Sequence, residues 1–216
     1  MVVYYAQQNQ QIAFFMKYKP FVQKETNCYA VPRWEPVEYD HCHEILSDRA
    51  VRLLNKLHTR EFDALKYIAD TRPVHNYLFR NLTPPGIGYF AGHYRGENFE
   101  YLRSYQITRI PDPRVVLDTT LVVQRMRHFR CEVFNGIKTL DLLHRAPRSC
   151  ISEIIKLFST LVFACYVFVE LVKIHPYANG NGHIARFTVW AIMSRYNYRL
   201  SEKFSLHPRP DGLNVI

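Results

Sequence analysis

Residues 175–186 combine the groups that hold a phosphate with a side chain that can accept a proton. They read His-Pro-Tyr-Ala-Asn-Gly-Asn-Gly-His-Ile-Ala-Arg. Gly180 and Gly182 relax the backbone, so that successive N–H groups can point into one concavity where a new helix presents its positive dipole end. Arg186, about one turn into that helix, would add a fixed charge with bidentate donors. The pattern predicts an anion site suited to the phosphates of a nucleotide.

His175 stands at the rim of the same concavity. Near neutral pH a histidine can take a proton from a hydroxyl, which favours attack of that hydroxyl on a phosphorus atom. The backbone amides and Arg186 would stabilise the developing charge. The alternative is a histidine that only caps the preceding helix; the attached Gly-Asn-Gly turn and Arg186 favour the catalytic role. Trp190 could stack on a base, although a large aromatic residue on a helix more often belongs to the core.

Two other nucleotide motifs are excluded. The pattern GxxxxGK[ST] does not occur in the chain. Gly180, Gly182 and Ala185 match GxGxxG/A, but a dinucleotide-binding fold needs a strand before this pattern and several βα units after it. Only about 30 residues follow the stretch, which leaves no room for them.

The stretch resembles the motif of the Fic family, written HPFx[D/E]GNGRxxR. Residues 91–95, Ala-Gly-His-Tyr-Arg, are similar to the AGxYR segment that precedes the family's target-docking flap. The apolar segment that ends at Ile174 resembles the family's central helix. The resemblance covers residues from about 45 to 200. It implies a mainly α Fic fold, a helical bundle around a buried central helix with a small β-hairpin flap.

The resemblance also implies an activity. AMP, or another nucleotide-derived phosphoryl moiety, would pass from ATP or another nucleotide donor to a Ser, Thr or Tyr hydroxyl of a target protein, with His175 as general base. The implied nucleotide- and phosphate-binding residues are Asn179, Gly180, Asn181, Gly182, His183, Arg186 and Trp190. The flap would dock an extended target segment by strand addition, and its residues are Phe99, Tyr101, Arg103, Tyr105 and Ile107.

The stretch departs from the family pattern in three places. Tyr177 replaces a phenylalanine. Asn179 replaces the acidic residue that binds Mg²⁺, and because an amide brings no negative charge we expect weaker metal affinity. His183 replaces an arginine, so its charge depends on pH. Three possibilities stay open: an enzyme with weaker metal dependence, an enzyme with a different donor, or a catalytically reduced Fic fold that binds a nucleotide or a protein. The family's inhibitory pattern [ST]xxxE[GN] is absent from the sequence, so inhibition within the chain is unsupported, and a separate partner could supply it.

Hydrophobic periodicity predicts helices over 41–58, 61–68, 73–79, 114–144, 149–174 and 181–199, with a break near Asn135 and Gly136. Apolar residues cover almost the whole circumference of 149–174, which is typical of a helix buried at the centre of a fold. Residues 98–109 are rich in Tyr, Phe, Ile and Thr and predict a strand, one arm of the flap.

The remaining features concern the whole chain. The pattern predicts an N-terminal extension over 1–40, a Fic domain over 41–200 and an irregular tail over 201–216. The net charge of +9 attracts polyanions, but no run of five basic residues occurs, so nucleic acid is the weakest of the candidate partners. The longest apolar run, 161–169, is shorter than the roughly 20 residues of a membrane span. The N-terminus lacks signal-peptide features, so we expect a cytoplasmic protein or one exported without a cleavable signal.

Overall fold

Six α-helices dominate the part of the chain that the computed structural model describes, which is Trp34 and residues 41–107, 117–201 and 204–207. All of these residues belong to the unit Val31–Ile216. The helices are α1 (Cys42–His58), α2 (Ala64–Ala69), α3 (Arg72–Phe79), α4 (Thr119–Arg145), α5 (Glu153–Ile174) and α6 (Asn181–Arg195). Two single 3₁₀ turns are Gly88–Phe90 and Leu102–Ser104. The predicted mainly α class is confirmed.

Local capping sets where the helices begin and end. The side chain of Asp63 accepts a hydrogen bond from the N–H of Leu65, so α2 begins later than predicted. α5 begins at Glu153 because Ser152, rather than Ser149, is its N-cap and accepts from the N–H of Ile155. α6 ends at Arg195, before the predicted residue 199.

The predicted break in α4 near Asn135 and Gly136 is wrong, since the helix runs without interruption through both residues. Gly136 instead allows α4 and α5 to approach closely. A Cβ atom at this position would lie 2.0 Å from Cε2 of Phe163. The ring of Phe163 therefore occupies the space that any other side chain would fill.

The helix at the centre of the core is α6, not α5. Most residues of α6 are buried, and the helix packs against α5, α2 and α1. Small residues such as Ala185 and Ala191, both fully buried, let these neighbours approach from several sides. The motif helix is therefore held in a rigid surrounding.

α5 is buried on one face only, which corrects the prediction of a buried central helix. The buried face holds Lys156, Thr160, Ala164, Val167, Leu171 and Ile174. The opposite face is apolar and open, with Ile154 at 79% and Phe158 at 66% relative exposure. The prediction failed because apolar residues around the whole circumference favour a covered helix. They do not show which of its faces a neighbouring element covers.

α5 is also long and apolar enough, by length and composition alone, to cross a membrane, and no other helix in the described ranges is. The core helix of a soluble protein passes the same criterion, although only 28% of the most apolar window of α5 is buried. Length and composition alone are weak grounds for assigning a membrane span.

The strand predicted over 98–109 is wrong for the residues described, because 98–107 form turns and a 3₁₀ turn and no strand occurs in any described range. Leu102 is fully buried and anchors the segment. Its carbonyl accepts from the N–H of Gly96, and the carbonyl of Phe99 accepts from Arg103. These local bonds use the backbone groups that a strand ladder would need. Residues 108–109 lie outside the described residues, as do the predicted extension, apart from Trp34, and most of the tail.

Candidate active site

His175 ends α5 with a left-handed backbone conformation at φ 49°. Its N–H donates to the carbonyl of Leu171, and its Nδ1 lies 3.3 Å from the carbonyl oxygen of Val172. Because a carbonyl oxygen only accepts, Nδ1 carries the proton in this contact and Nε2 keeps its lone pair. No hydrogen-bond partner of Nε2 is found among the described residues. The half-buried imidazole thus has one fixed nitrogen and one available acceptor.

Arg95 holds the backbone around this histidine. The residue is fully buried, and its backbone N–H donates to the carbonyl of Pro176. Its Nε donates to the carbonyl of His175 at 2.8 Å and its second terminal nitrogen to that of Ile174 at 3.2 Å. The remaining donors reach Tyr105 O, Leu117 O and Thr119 Oγ1. Every N–H of the guanidinium therefore has an oxygen partner.

The charge of Arg95 also acts on the imidazole. Burial lowers the pKa of His175, and the nearby positive charge of Arg95 lowers it further, against an opposing effect of the Val172 carbonyl. Burial lowers the pKa of Arg95 itself to about 10, so the guanidinium still carries its charge at neutral pH. His175 is consequently neutral near pH 7, which is the form that can accept a proton.

Asn181 fixes the loop between α5 and α6. Its Oδ1 accepts from the N–H of Tyr177 and its Nδ2 donates to the Tyr177 carbonyl, both at 2.8 Å. The side chain of Tyr177 is fully buried, and its hydroxyl lies 2.6 Å from Oγ1 of Thr71. Asn181 therefore contributes to the site by shaping the backbone, with its amide turned inward.

His75 is a component of the site that the sequence analysis did not identify. The ring is fully buried and stacks on Tyr177 at 3.8 Å between centroids. Its Nδ1 accepts from the N–H of Gly92 at 2.9 Å, and its Nε2–H donates to the carbonyl of Asn179 at 3.0 Å. Burial lowers the pKa of His75 to about 3, so the ring stays neutral. The spacing of His75 with Leu78 and Phe79 on one helix face was the signal for its burial.

The side chain of Asn179 is engaged on both sides. Its Oδ1 accepts from the N–H of Gly180 at 2.6 Å, and its Nδ2 donates to the carbonyl of Trp34 at 2.9 Å. Gly180 has φ 78°, and a Cβ there would lie 2.3 Å from the ring of Phe79. Both features require glycine at this turn.

The N-terminus of α6 presents a group of backbone N–H donors. Gly180 is the N-cap, and the first hydrogen bond of the helix runs from Ile184 N–H to the Gly180 carbonyl. The N–H groups of Asn181, Gly182 and His183 therefore have no acceptor among the described residues. The guanidinium of Arg186 lies over this end, with its terminal nitrogens 3.5 and 3.6 Å from the position of a Cβ on Gly182. The predicted phosphate-binding residues from 180 to 186 thus meet at one end of one helix.

Residues 204–207 run along the same end of α6. The Nε of Arg186 donates to the carbonyl of Leu206 at 3.2 Å, which leaves its terminal nitrogens directed at Gly182. Trp190 is buried, and its indole N–H donates to the carbonyl of Phe204 at 3.0 Å. Trp190 is only 7% exposed, which supports the core interpretation of this residue.

His183 lies beside the same segment, with its Nε2 2.9 Å from Nδ1 of His207. Burial and the charge of Arg186 lower the pKa of His183 to about 3. The ring is therefore neutral at physiological pH and brings no charge to a phosphate. His183 is therefore neutral at the position where the Fic motif has a positively charged arginine.

Among the described residues, the side chains at this site form no carboxylate cluster for Mg²⁺. Within the described ranges, no group of three or more His, Cys, Asp or Glu side chains is placed to hold a metal ion. The one candidate donor, Asn179, already accepts from Gly180.

No protein-family model, no curated protein and no solved structure matches this chain.

Proposed function

We propose that this protein is a Fic-type transferase that moves AMP, or another nucleotide-derived phosphoryl moiety, from a nucleotide donor to a Ser, Thr or Tyr hydroxyl of a target protein. The observation that carries the proposal is the state of His175. Its Nδ1 faces the Val172 carbonyl, and its Nε2 has no partner among the described residues. Burial and Arg95 lower its pKa, so the ring is a neutral base at pH 7.

The end of α6 supplies the second half of the chemistry. N–H groups without an acceptor among the described residues, together with the positive end of the helix dipole, bind anions, and Arg186 adds a fixed charge at the same place. These donors would hold the donor phosphates and stabilise the charge that develops on the phosphoryl oxygens. They belong to a buried helix, so they need little reorganisation when the charge forms.

The reaction then follows in one displacement. Nε2 of His175 takes the proton of the target hydroxyl while the hydroxyl oxygen forms a bond to the α-phosphorus of the donor. The bond from that phosphorus to the leaving phosphate oxygen breaks, and with ATP the leaving group is pyrophosphate. The bonded Nδ1–H keeps the ring in the tautomer that this transfer requires.

A second candidate is a catalytically reduced Fic fold that binds a nucleotide or a protein. The observation that favours it is the engagement of the motif side chains within the protein itself. The amide of Asn179 bonds Trp34 and Gly180, and His183 faces His207. These two of the three departures from the family motif therefore contact protein groups.

The test is intact-mass analysis of target proteins after incubation with a panel of nucleotide donors and cell lysate. We expect a mass shift that identifies the transferred group, and its complete loss in His175→Ala with the fold retained. His128→Ala is the matched control, since His128 is exposed on α4. Transfer at the wild-type rate by His175→Ala would exclude His175 as the base. Nucleotide binding without any mass shift across the panel would favour the binding module.

A further inference from the structure

The outward face of α5 is a large apolar surface without a cover among the described residues. Its members are Ile154 (79% exposed), Ile155 (53%), Leu157 (41%), Phe158 (66%), Leu161 (41%), Val162 (52%), Tyr166 (38%) and Val169 (45%). With ordinary residue areas, these fractions amount to roughly 800 Å² of exposed surface, above the roughly 300–600 Å² of the largest patch on a typical monomer.

The face is continuous along the helix. At roughly 100° per residue, positions 154, 158, 161, 162, 165 and 169 fall on one arc opposite the buried stripe. The arc is about 22 Å long. It ends near the polar residues Glu153 and Lys173, which lie close to the two ends of α5.

The face also carries no charge. No Asp, Glu, Lys or Arg occurs from residue 157 to 169. Lys156 is turned inward, with its side chain 5% exposed and its ammonium donating to the carbonyl of Ala146 at 2.8 Å. Glu132 of α4 lies at the edge of the face, where its carboxylate accepts from the hydroxyl of Tyr166 at 3.2 Å. Two copies of a chain with net charge +9 can therefore meet along the middle of this face without opposing like charges.

We propose that the outward face of α5 is the interface of a symmetric dimer of this chain. An isologous dimer brings the same face of both copies together, so an apolar, uncharged face is complementary to itself. The apolar residues of the arc expose roughly 550 Å², and with the flanking Ile155, Leu157 and Tyr166 the total is roughly 800 Å², about what each partner buries in a standard stable interface. Antiparallel packing of the two α5 helices opposes their dipoles and sets the Glu153 end of one copy beside the Lys173 end of the other.

An anionic membrane is the competing occupant of such a face. A helix that lies in a membrane surface typically has many Lys and Arg residues on its polar face. α5 instead carries one acid and one base toward each end: Glu153 with Lys156, and Glu170 with Lys173. This balance favours a second protein surface, independently of the proposed transferase function.

The first test measures the mass of the full chain in solution by light scattering. We expect about twice the chain mass of 25.6 kDa for the wild type. Phe158→Glu places a charge on the middle of the arc and should yield the monomer. Val51→Glu is the matched control, since Val51 is a 55% exposed apolar residue on α1, and it should leave the dimer intact. Circular dichroism checks the helix content of both variants.

The second test does not depend on a destabilising charge. Cys165 is an exposed free thiol on the same arc. In a chain with Cys28, Cys131 and Cys150 changed to serine, a short bis-maleimide should join two copies through Cys165, and Cys165→Ser should abolish the product. A monomeric wild type, a dimer unchanged by Phe158→Glu, or a monomer that binds anionic vesicles would overturn the proposal. So would a monomer whose Cys165 resists a simple maleimide, because another part of the chain would then cover the face.

Discussion

Arg95 holds the backbone at His175 from a position about 80 residues earlier in the chain. Its guanidinium bonds the carbonyls of Ile174 and His175, and its charge lowers the pKa of the imidazole. The resemblance located Arg95 within the AGxYR segment but assigned it no role. Its role becomes clear only in the tertiary structure, where the C-terminal end of α5 lies against the guanidinium. His75 likewise joins Gly92 to Asn179, which no spacing in the sequence indicates.

At this scale, Asn179→Asp tests where a metal ion would bind. The carboxylate keeps an acceptor for the Gly180 N–H and adds the negative charge that Mg²⁺ prefers. We expect Mg²⁺ to bind several-fold more tightly in the presence of nucleotide, as measured by calorimetry. Asn135→Asp is the control, since Asn135 is exposed on α4. An unchanged metal titration would place the ion away from residue 179.

Among the elements, the loop from 175 to 180 depends on α6 for its shape. Asn181, the first residue of the helix, bonds both backbone groups of Tyr177. Asn181→Ala leaves those buried groups without partners, so we expect a loss of about 3 kcal/mol in the free energy of unfolding, measured with urea. Asn135→Ala, an exposed change, should cost less than about 0.5 kcal/mol. Equal effects of the two variants would show that the Asn181 bonds add little stability.

The outward face of α5 also belongs to this scale. Its apolar residues have the same composition as a buried helix, yet only the stripe from Lys156 to Ile174 meets α6 and α4. Both faces of the helix are apolar in sequence, but one is buried and the other is exposed. In the dimer proposed above, the second copy covers the exposed face of α5.

For the whole molecule, buried histidines make stability sensitive to acid. Burial lowers the pKa of His75 from 6.5 to about 3, and burial together with the charge of Arg186 does the same for His183. In the unfolded chain both rings bind a proton near pH 6.5, so between about pH 6.5 and pH 3 the unfolded state holds more protons. Stability is therefore complete above this window and falls as the pH is lowered through it.

We expect each of these histidines to cost about 1 kcal/mol of unfolding free energy between pH 6.5 and pH 5.5, a range above the titration of most carboxylates. Urea unfolding at several pH values measures the slope. His75→Gln should reduce the slope, whereas His128→Gln, an exposed change, should not alter it. A flat profile over this range would contradict neutral burial of the rings.

The sequence alone determined the helical class, the positions of most helices, and the glycine turn at 180 that precedes α6. Local chemistry is sufficient there, because periodicity, capping residues and glycines act over a few neighbours. The gathering of Gly180, Gly182 and Arg186 at one helix end follows from the same short range.

Only the tertiary structure decided which helix is central, what holds His175, and which faces are covered. α6 replaced α5 at the centre, Trp190 entered the core, and residues 98–107 folded as turns around Leu102 instead of a strand. Each outcome depends on contacts between residues far apart in the chain, and a local pattern holds no information about its distant partners. For the same reason, the exposure of the outward face of α5 could be recognised only from the positions of the neighbouring helices.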